Sequence, residues 1–266
     1  MFFLISYIHR KYTMNRIALI TGATAGIGEA TARILSKNHF DLILTGRRED
    51  RLRQLSKTLE AENNSKTKIL AFDIRNREAT ASAFRSLSEA WKKIDVLINN
   101  AGLAVGLEPI HEGEIDDWER MIDTNITGLL YITRLVSPGM VERGAGHIVN
   151  LSSIAGKEAY ANGSVYCASK HAVQALTQGM RIDLVKHGIK VSSIAPGAVE
   201  TEFSEVRFKG DKNKADDVYK GFTPLYAEDI AETILFMLTR PAHVNIDDVL
   251  IMPTAQAFSR MIHRKE

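Results

Sequence analysis

Thr21-Gly22-Ala23-Thr24-Ala25-Gly26-Ile27-Gly28 stands at the end of an apolar run, residues 17–21, and opens a helical pattern. Three glycines at a strand-to-helix turn let the main chain pass close to a pyrophosphate and let the helix pack on the strand. The helix N-terminus adds unpaired N–H groups and positive partial charge, which suit an anion. Glycines also serve ordinary tight turns. The place between the first strand and the first helix is what makes this one a dinucleotide cradle, with Gly22, Thr24, Ala25, Gly26, Ile27 and Gly28 as candidate cofactor-binding residues. The spacing is TGxxxGxG, not GxGxxG.

Outward from this turn, strand-like apolar runs recur at 41–45, 68–72, 96–99, 147–151, 190–195 and 249–252. Amphipathic stretches at 50–62, 76–92, 117–142 and 165–186 lie between them. Strands alternating with helices predict an α/β fold: one Rossmann-type, doubly wound parallel sheet of seven strands with helices on both faces. The polar, charged stretch 200–220 breaks the rhythm before a helix at 227–240. It falls at the carboxyl edge of the sheet, where such folds bind ligands, and reads as a substrate lid within one domain over 14–266.

The tip of the second strand reads Leu44-Thr45-Gly46-Arg47-Arg48. A carboxylate for an adenosine 2′-hydroxyl would stand here, and none does. Arginines at this place can pair with a 2′-phosphate instead, so Arg47 and Arg48 favour NADP over NAD.

Asn99-Asn100-Ala101-Gly102 closes the fourth run, and Asn125 lies in a helical pattern. The fifth run ends Leu151-Ser152-Ser153, with Tyr166 following and Lys170 four residues beyond it. On a helix that spacing puts tyrosine and lysine on one face, about one turn apart. A phenol of pKa ~10 is a poor base at neutral pH, and a cation one turn away is expected to lower that pKa. Ser153, on an adjacent strand end, is placed to donate to the same substrate oxygen.

Composition narrows the field. With 45% hydrophobic residues among 266, the chain has material for a full core. Cys167 is the single cysteine, which excludes a disulfide framework and a zinc cluster and fits a reducing, cytoplasmic setting. It reads as a packing residue, and His147 as a satisfied histidine on an edge strand. The eight histidines show no HxxH or HExxH spacing, so no metal is expected. The formal charge of +2 equals the contribution of Arg10 and Lys11, leaving a neutral body and no expected nucleic-acid partner. Residues 1–13 form an extension whose apolar run is far short of the ~20 residues a membrane helix needs. No basic residue precedes that run and no small-residue cleavage site follows it, so it does not read as a secretory signal. Met14 makes a mis-assigned start or a loose extension the natural reading, and no membrane association is expected.

Together, TGATAGIG, NNAG, Asn125, Ser153, Tyr166-Cys167-Ala168-Ser169-Lys170 and Pro196-Gly197 resemble the short-chain dehydrogenase/reductases from residue 16 to about 255. The resemblance implies an oxidoreductase acting on CH–OH groups, usually a homotetramer. It implies Tyr166 as acid/base, Lys170 as ribose ligand and tuner of the tyrosine, and Ser153 as polariser of the carbonyl. Asn125 would hold a water relaying protons to Lys170. Asp73 with Ile74 would touch adenine and Asn100 the ribose, with Pro196, Gly197, Val199 and Thr201 at the carboxamide. Glu108-Pro109, Asp117-Trp118, Met140-Val141-Glu142-Arg143, the lid stretch 202–210 and Pro241-Ala242-His243 are similar to a narrower group, the NADP-dependent 3-hydroxy acid dehydrogenases. That group acts on serine, allo-threonine and related acids and reduces malonic semialdehyde. Arg207 and Lys209 in the lid are candidate ligands for the substrate carboxylate. The alternatives are a 3-oxoacyl carrier-protein reductase or other carbonyl reductase, and a non-catalytic NADP-binding protein.

Overall fold

A computed structural model describes residues 15–265; the extension read at 1–13 lies outside the described residues. Alternation along the strands builds two cores. In β1 (Arg16–Ile20), Ala18 and Ile20 enter one cluster while Leu19, between them, enters the other. β2 (Phe40–Gly46) and β4 (Val96–Asn99) repeat the division, with Leu42, Leu44, Val96 and Ile98 on one side and Ile43 and Leu97 on the other. Strands apolar on both faces must be covered on both, which requires parallel pairing with crossover helices. β3 (Thr67–Ala71), β5 (Gly146–Leu151), β6 (Ile189–Pro196) and β7 (Asp248–Ile251) complete a parallel sheet in the order β3-β2-β1-β4-β5-β6-β7.

Helices α1 (Gly26–Lys37), α2 (Glu49–Asn63) and α9 (Ala227–Leu238) cover the first face through Leu35, Leu52 and Ile234. Helices α3 (Arg77–Arg85), α5 (Leu129–Arg143) and α6 (Ser164–Leu184) cover the second through Phe84, Ile132 and Met180. The remaining helices are α4 (Ile115–Ile122), α7 (Phe203–Arg207) and α8 (Lys212–Asp217). Strand order reverses between β1 and β4, and the crevice above this switch point is where the glycine turn opens.

Three local expectations change. The helix expected over 76–92 ends at Arg85, because the Ser86 hydroxyl bonds the Ala83 carbonyl and the chain turns to bury Leu87. The stretch expected as one helix over 117–142 is α4 and α5 joined by π-helical turns at Asp123–Gly128, which hold Asn125 buried. His147 lies on β5 in the middle of the sheet, not on an edge, with Nε2 2.8 Å from the Ser192 hydroxyl. The lid stretch folds as α7 and α8. No helix among the described residues is long and apolar enough to cross a membrane.

Candidate active site

The crevice begins at the cradle. Gly22 and Gly26 take left-handed φ values of +69° and +52° that favour glycine. A Cβ on Gly28 would stand 2.3 Å from the Gly22 carbonyl oxygen and 2.4 Å from Asn100 Nδ2, so only glycine lets the helix sit this close. Asn100 braces the turn by donating Nδ2 to the Thr21 and Gly22 carbonyls at 2.8 and 3.1 Å. Thr24, Ala25, Gly26 and Ile27 line the crevice, and Gly28 packs behind them.

Arg47 and Arg48 both line the crevice at the tip of β2 but differ in kind. Arg48 is committed: Nε and Nη2 donate to the Thr24 hydroxyl at 3.2 and 2.9 Å, and Nη1 pairs with Glu202 at 2.8 Å. Glu202 also pairs with Arg51 at 2.6 Å. Arg47 is exposed, and none of the ion pairs or hydrogen bonds among the described residues involves it. Farther along, Asp73 and Ile74 form the floor; Arg75 grips the Asp73 carboxylate at 2.7 and 3.1 Å and holds its pKa below the usual carboxylate value. Pro196, Gly197, Val199 and Thr201 form the opposite wall.

Ser153, Tyr166 and Lys170 meet at the inner end of the crevice. Ser153 is fixed by accepting the Ala155 N–H at 3.1 Å. Lys170 is buried and donates Nζ to the Leu151 carbonyl at 2.8 Å, while standing 6.0 Å from the centre of the Tyr166 ring. Burial lowers the Lys170 pKa to about 8. Burial also raises that of Tyr166, with neighbouring Tyr160 adding to the rise and Ser153 and Arg207 opposing it. The lowering expected from Lys170 is not among the causes: desolvation dominates, and the opposing contributions come from Ser153 and Arg207. Asn125 ties the 103 loop to α6: Oδ1 accepts from Leu103 N at 2.8 Å, and Nδ2 donates to the Leu103 carbonyl and the Ser169 hydroxyl. Both amide protons are thus committed to protein atoms.

The sequence profile of the short chain dehydrogenase family matches residues 16–212. The chain belongs to the short chain dehydrogenase family. An NADP-dependent 3-hydroxy acid dehydrogenase of Salmonella typhimurium is 49% identical over 250 residues, 93% of this chain and 99% of that protein. Sulfoacetaldehyde reductase 2 of Chromohalobacter salexigens is 46% identical, over 92% of this chain and 97% of its own length. The solved closed form of a serine dehydrogenase complexed with NADP+ superposes with a TM-score of 0.87 at 46% identity, covering 94% of this chain and 100% of that one.

In this short-chain dehydrogenase the lid supplies the third side of the inner site. The Arg207 guanidinium lies 5.6 Å from the Tyr166 ring centre and 5.5 Å from that of Tyr160. Its Nε and Nη2 are buried with no hydrogen-bond partner among the described residues. Such an edge is the bidentate face a carboxylate fits. Lys209, the other candidate, pairs with Asp117 at 2.7 Å. Three contributors escaped the sequence reading: Tyr160 beneath Arg207, Phe203 with its ring 5.8 Å from that of Tyr166, and Glu202 joining the lid to Arg48. Tyr160 belongs to no motif, and Glu202 and Phe203 lie in the 202–210 stretch; only the fold sets them against Arg207, Arg48 and Tyr166. Cys167 is buried among these side chains as a free thiol.

Proposed function

We propose that this protein is an NADP-dependent oxidoreductase that reversibly oxidises small 3-hydroxy acids, such as serine, allo-threonine or 3-hydroxypropionate; the last gives malonic semialdehyde. The carrying observation is the buried Nε–Nη2 edge of Arg207, without a hydrogen-bond partner among the described residues, on a guanidinium 5.6 Å from the Tyr166 ring centre. The identity to an NADP-dependent 3-hydroxy acid dehydrogenase, and the likeness to a serine dehydrogenase bound to NADP+, support the same substrate class.

The cradle fits NADP. Gly28 leaves room for no side chain, and Arg47 stands unpaired where a 2′-phosphate would lie. Gly22 to Ile27 would hold the pyrophosphate, Arg47 the 2′-phosphate with Arg48 bracing the cradle beside it, Asp73 and Ile74 the adenine, and Asn100 and Lys170 the ribose. Pro196, Gly197, Val199 and Thr201 would hold the carboxamide. NADP, when bound, accepts the C3 hydride in oxidation and returns it in reduction. Tyr166 Oη takes the C3 hydroxyl proton in oxidation and donates it in reduction, and Ser153 Oγ donates to the same oxygen as charge develops. The Lys170 ammonium sets the local potential, while Asn125, its side chain already committed to Leu103 and Ser169, holds the loop beside it. Arg207 fixes the distance from carboxylate to C3.

The lid, α7 and α8, belongs to one domain over 14–266 on this reading. A homotetramer is supported by apolar side chains that one copy leaves exposed, among them Ile122, Leu130, Phe236 and Phe258. A cytoplasmic setting agrees with a lone, buried, unpaired thiol. The test is Arg207→Ala. Loss of a charge-assisted bond of about 1.5–3 kcal/mol should raise KM for malonic semialdehyde roughly ten- to a hundredfold. Activity on a neutral aldehyde of similar size should change little. Equal losses on both would remove the carboxylate assignment.

A further inference from the structure

Lys209 occupies a position that glycine usually takes. Helix α7 ends in a Schellman turn: Gly210 N donates to the Glu205 carbonyl at 2.8 Å and Lys209 N to the Val206 carbonyl at 3.2 Å. The residue at the left-handed position of this turn is Lys209, with φ +53°, although Gly210 is its neighbour. A side chain there strains the backbone, which glycine would relieve. What the lysine gains is a partner. Its ammonium meets Asp117 Oδ2 at 2.7 Å, and Asp117 is 6% exposed on α4. Arg120, at 3.2 Å, is the other cation on that carboxylate. Two residues back along the lid, the Arg207 carbonyl accepts the Gly106 N–H at 3.0 Å. The lid is thus pinned to one wall on either side of Phe208, and the Arg207 side chain projects from the pinned segment onto Tyr160 and Tyr166.

We propose that Asp117 is a positioning residue for substrate recognition: through Lys209 it latches the lid and so holds the Arg207 guanidinium at the anion subsite. This rests on the reading of Arg207 given above. The latch touches neither substrate nor cofactor. Its removal therefore raises the KM of an anionic substrate and leaves the chemistry and the cradle as they were.

The test uses Asp117→Asn, Lys209→Gly and the double variant in the full chain. Lys209→Gly is the decisive one, because it keeps the left-handed turn, relieves its strain and removes only the cation. Each single variant should raise KM for malonic semialdehyde roughly two- to fivefold, the scale of one partly exposed ion pair, with kcat and the NADPH Kd within about twofold. The double variant should be no worse than Asp117→Asn alone, since that change already removes the Lys209 contact. Amide exchange over residues 203–210, followed by mass spectrometry, should quicken in all three. A Lys209→Gly enzyme with wild-type KM and wild-type exchange would overturn the latch. Faster exchange with KM unchanged, in these variants and in Arg207→Ala alike, would support the latch and overturn the reading of Arg207.

Discussion

The two arginines at the tip of β2 should respond differently to removal, although they are adjacent in sequence. Arg47 is exposed and unpaired, so its partner is expected to come with the cofactor. A charge-assisted bond made half in solvent sits at the lower end of its usual range, about 1–1.5 kcal/mol, or a five- to tenfold rise in Kd. Arg47→Ala should therefore weaken NADPH by about that factor and leave NADH unchanged. Arg47→Asp adds repulsion of the 2′-phosphate and offers a carboxylate to the ribose, and should shift preference toward NADH. Arg48 ties Thr24 in the cradle to Glu202 at the start of the lid. Its loss should weaken both cofactors together, because both need the cradle that it braces. Fluorescence titration of each variant with NADPH and NADH separates the two patterns. An Arg47→Asp enzyme that binds NADPH as the wild type does would refute the assignment of the 2′-phosphate.

Burial holds the Tyr166 pKa above its ordinary value, so the phenol is protonated at neutral pH, ready to donate in reduction. Hydroxy acid oxidation needs the phenolate, and its initial rate should climb from pH 7 to pH 10; an acidic optimum would contradict the role. Tyr166→Phe should cost on the order of 10²–10⁴ in kcat with the NADPH Kd retained. His147 keeps its imidazole neutral to about pH 3, through burial first and then the charges of Lys190 and Arg16. The unfolded chain protonates it below about pH 6.5, so its contribution is whole above that pH and is lost as pH falls toward 3. Urea melts should show stability declining by about 1.4 kcal/mol per pH unit from this one proton, and a flatter acid limb in His147→Gln. A chain beginning at Met14 should keep the melting temperature and activity of the full chain; a loss of several degrees would show that residues 1–13 contribute.

The cradle, the strand runs and the Ser153–Tyr166–Lys170 set were legible because each depends on local spacing. Glycines at a strand end, alternating apolar residues and an i, i+4 pair fix geometry within a turn or two. What escaped depends on distant contacts. Nothing in the sequence around Asp123–Gly128 announces its π-turns. Gly128 packs so tightly there that a Cβ would stand 2.9 Å from Ile74. The polar, charged break in the strand–helix rhythm put Lys209 in the 200–220 stretch, but charge alone could not reveal its pairing with Asp117, which lies nearly a hundred residues earlier. Helical periodicity carried the reading past Arg85 because it cannot register the Ser86 hydroxyl turning back on the Ala83 carbonyl. The pKa of Tyr166 could not be read from a neighbouring cation, because desolvation depends on the whole wall of Tyr160, Phe203 and the lid.

If this crevice joins NADP chemistry to an anion subsite at Arg207, substrate charge must decide its choice among aldehydes. The most direct measurement is kcat/KM for NADPH oxidation with malonic semialdehyde, with a neutral aldehyde of similar size and with an acetoacetyl thioester. Malonic semialdehyde should exceed the neutral aldehyde by roughly ten- to a hundredfold, the worth of one charge-assisted pair, and the thioester should be poor. Equal values for charged and neutral aldehydes, or a preference for the thioester, would contradict the subsite at Arg207.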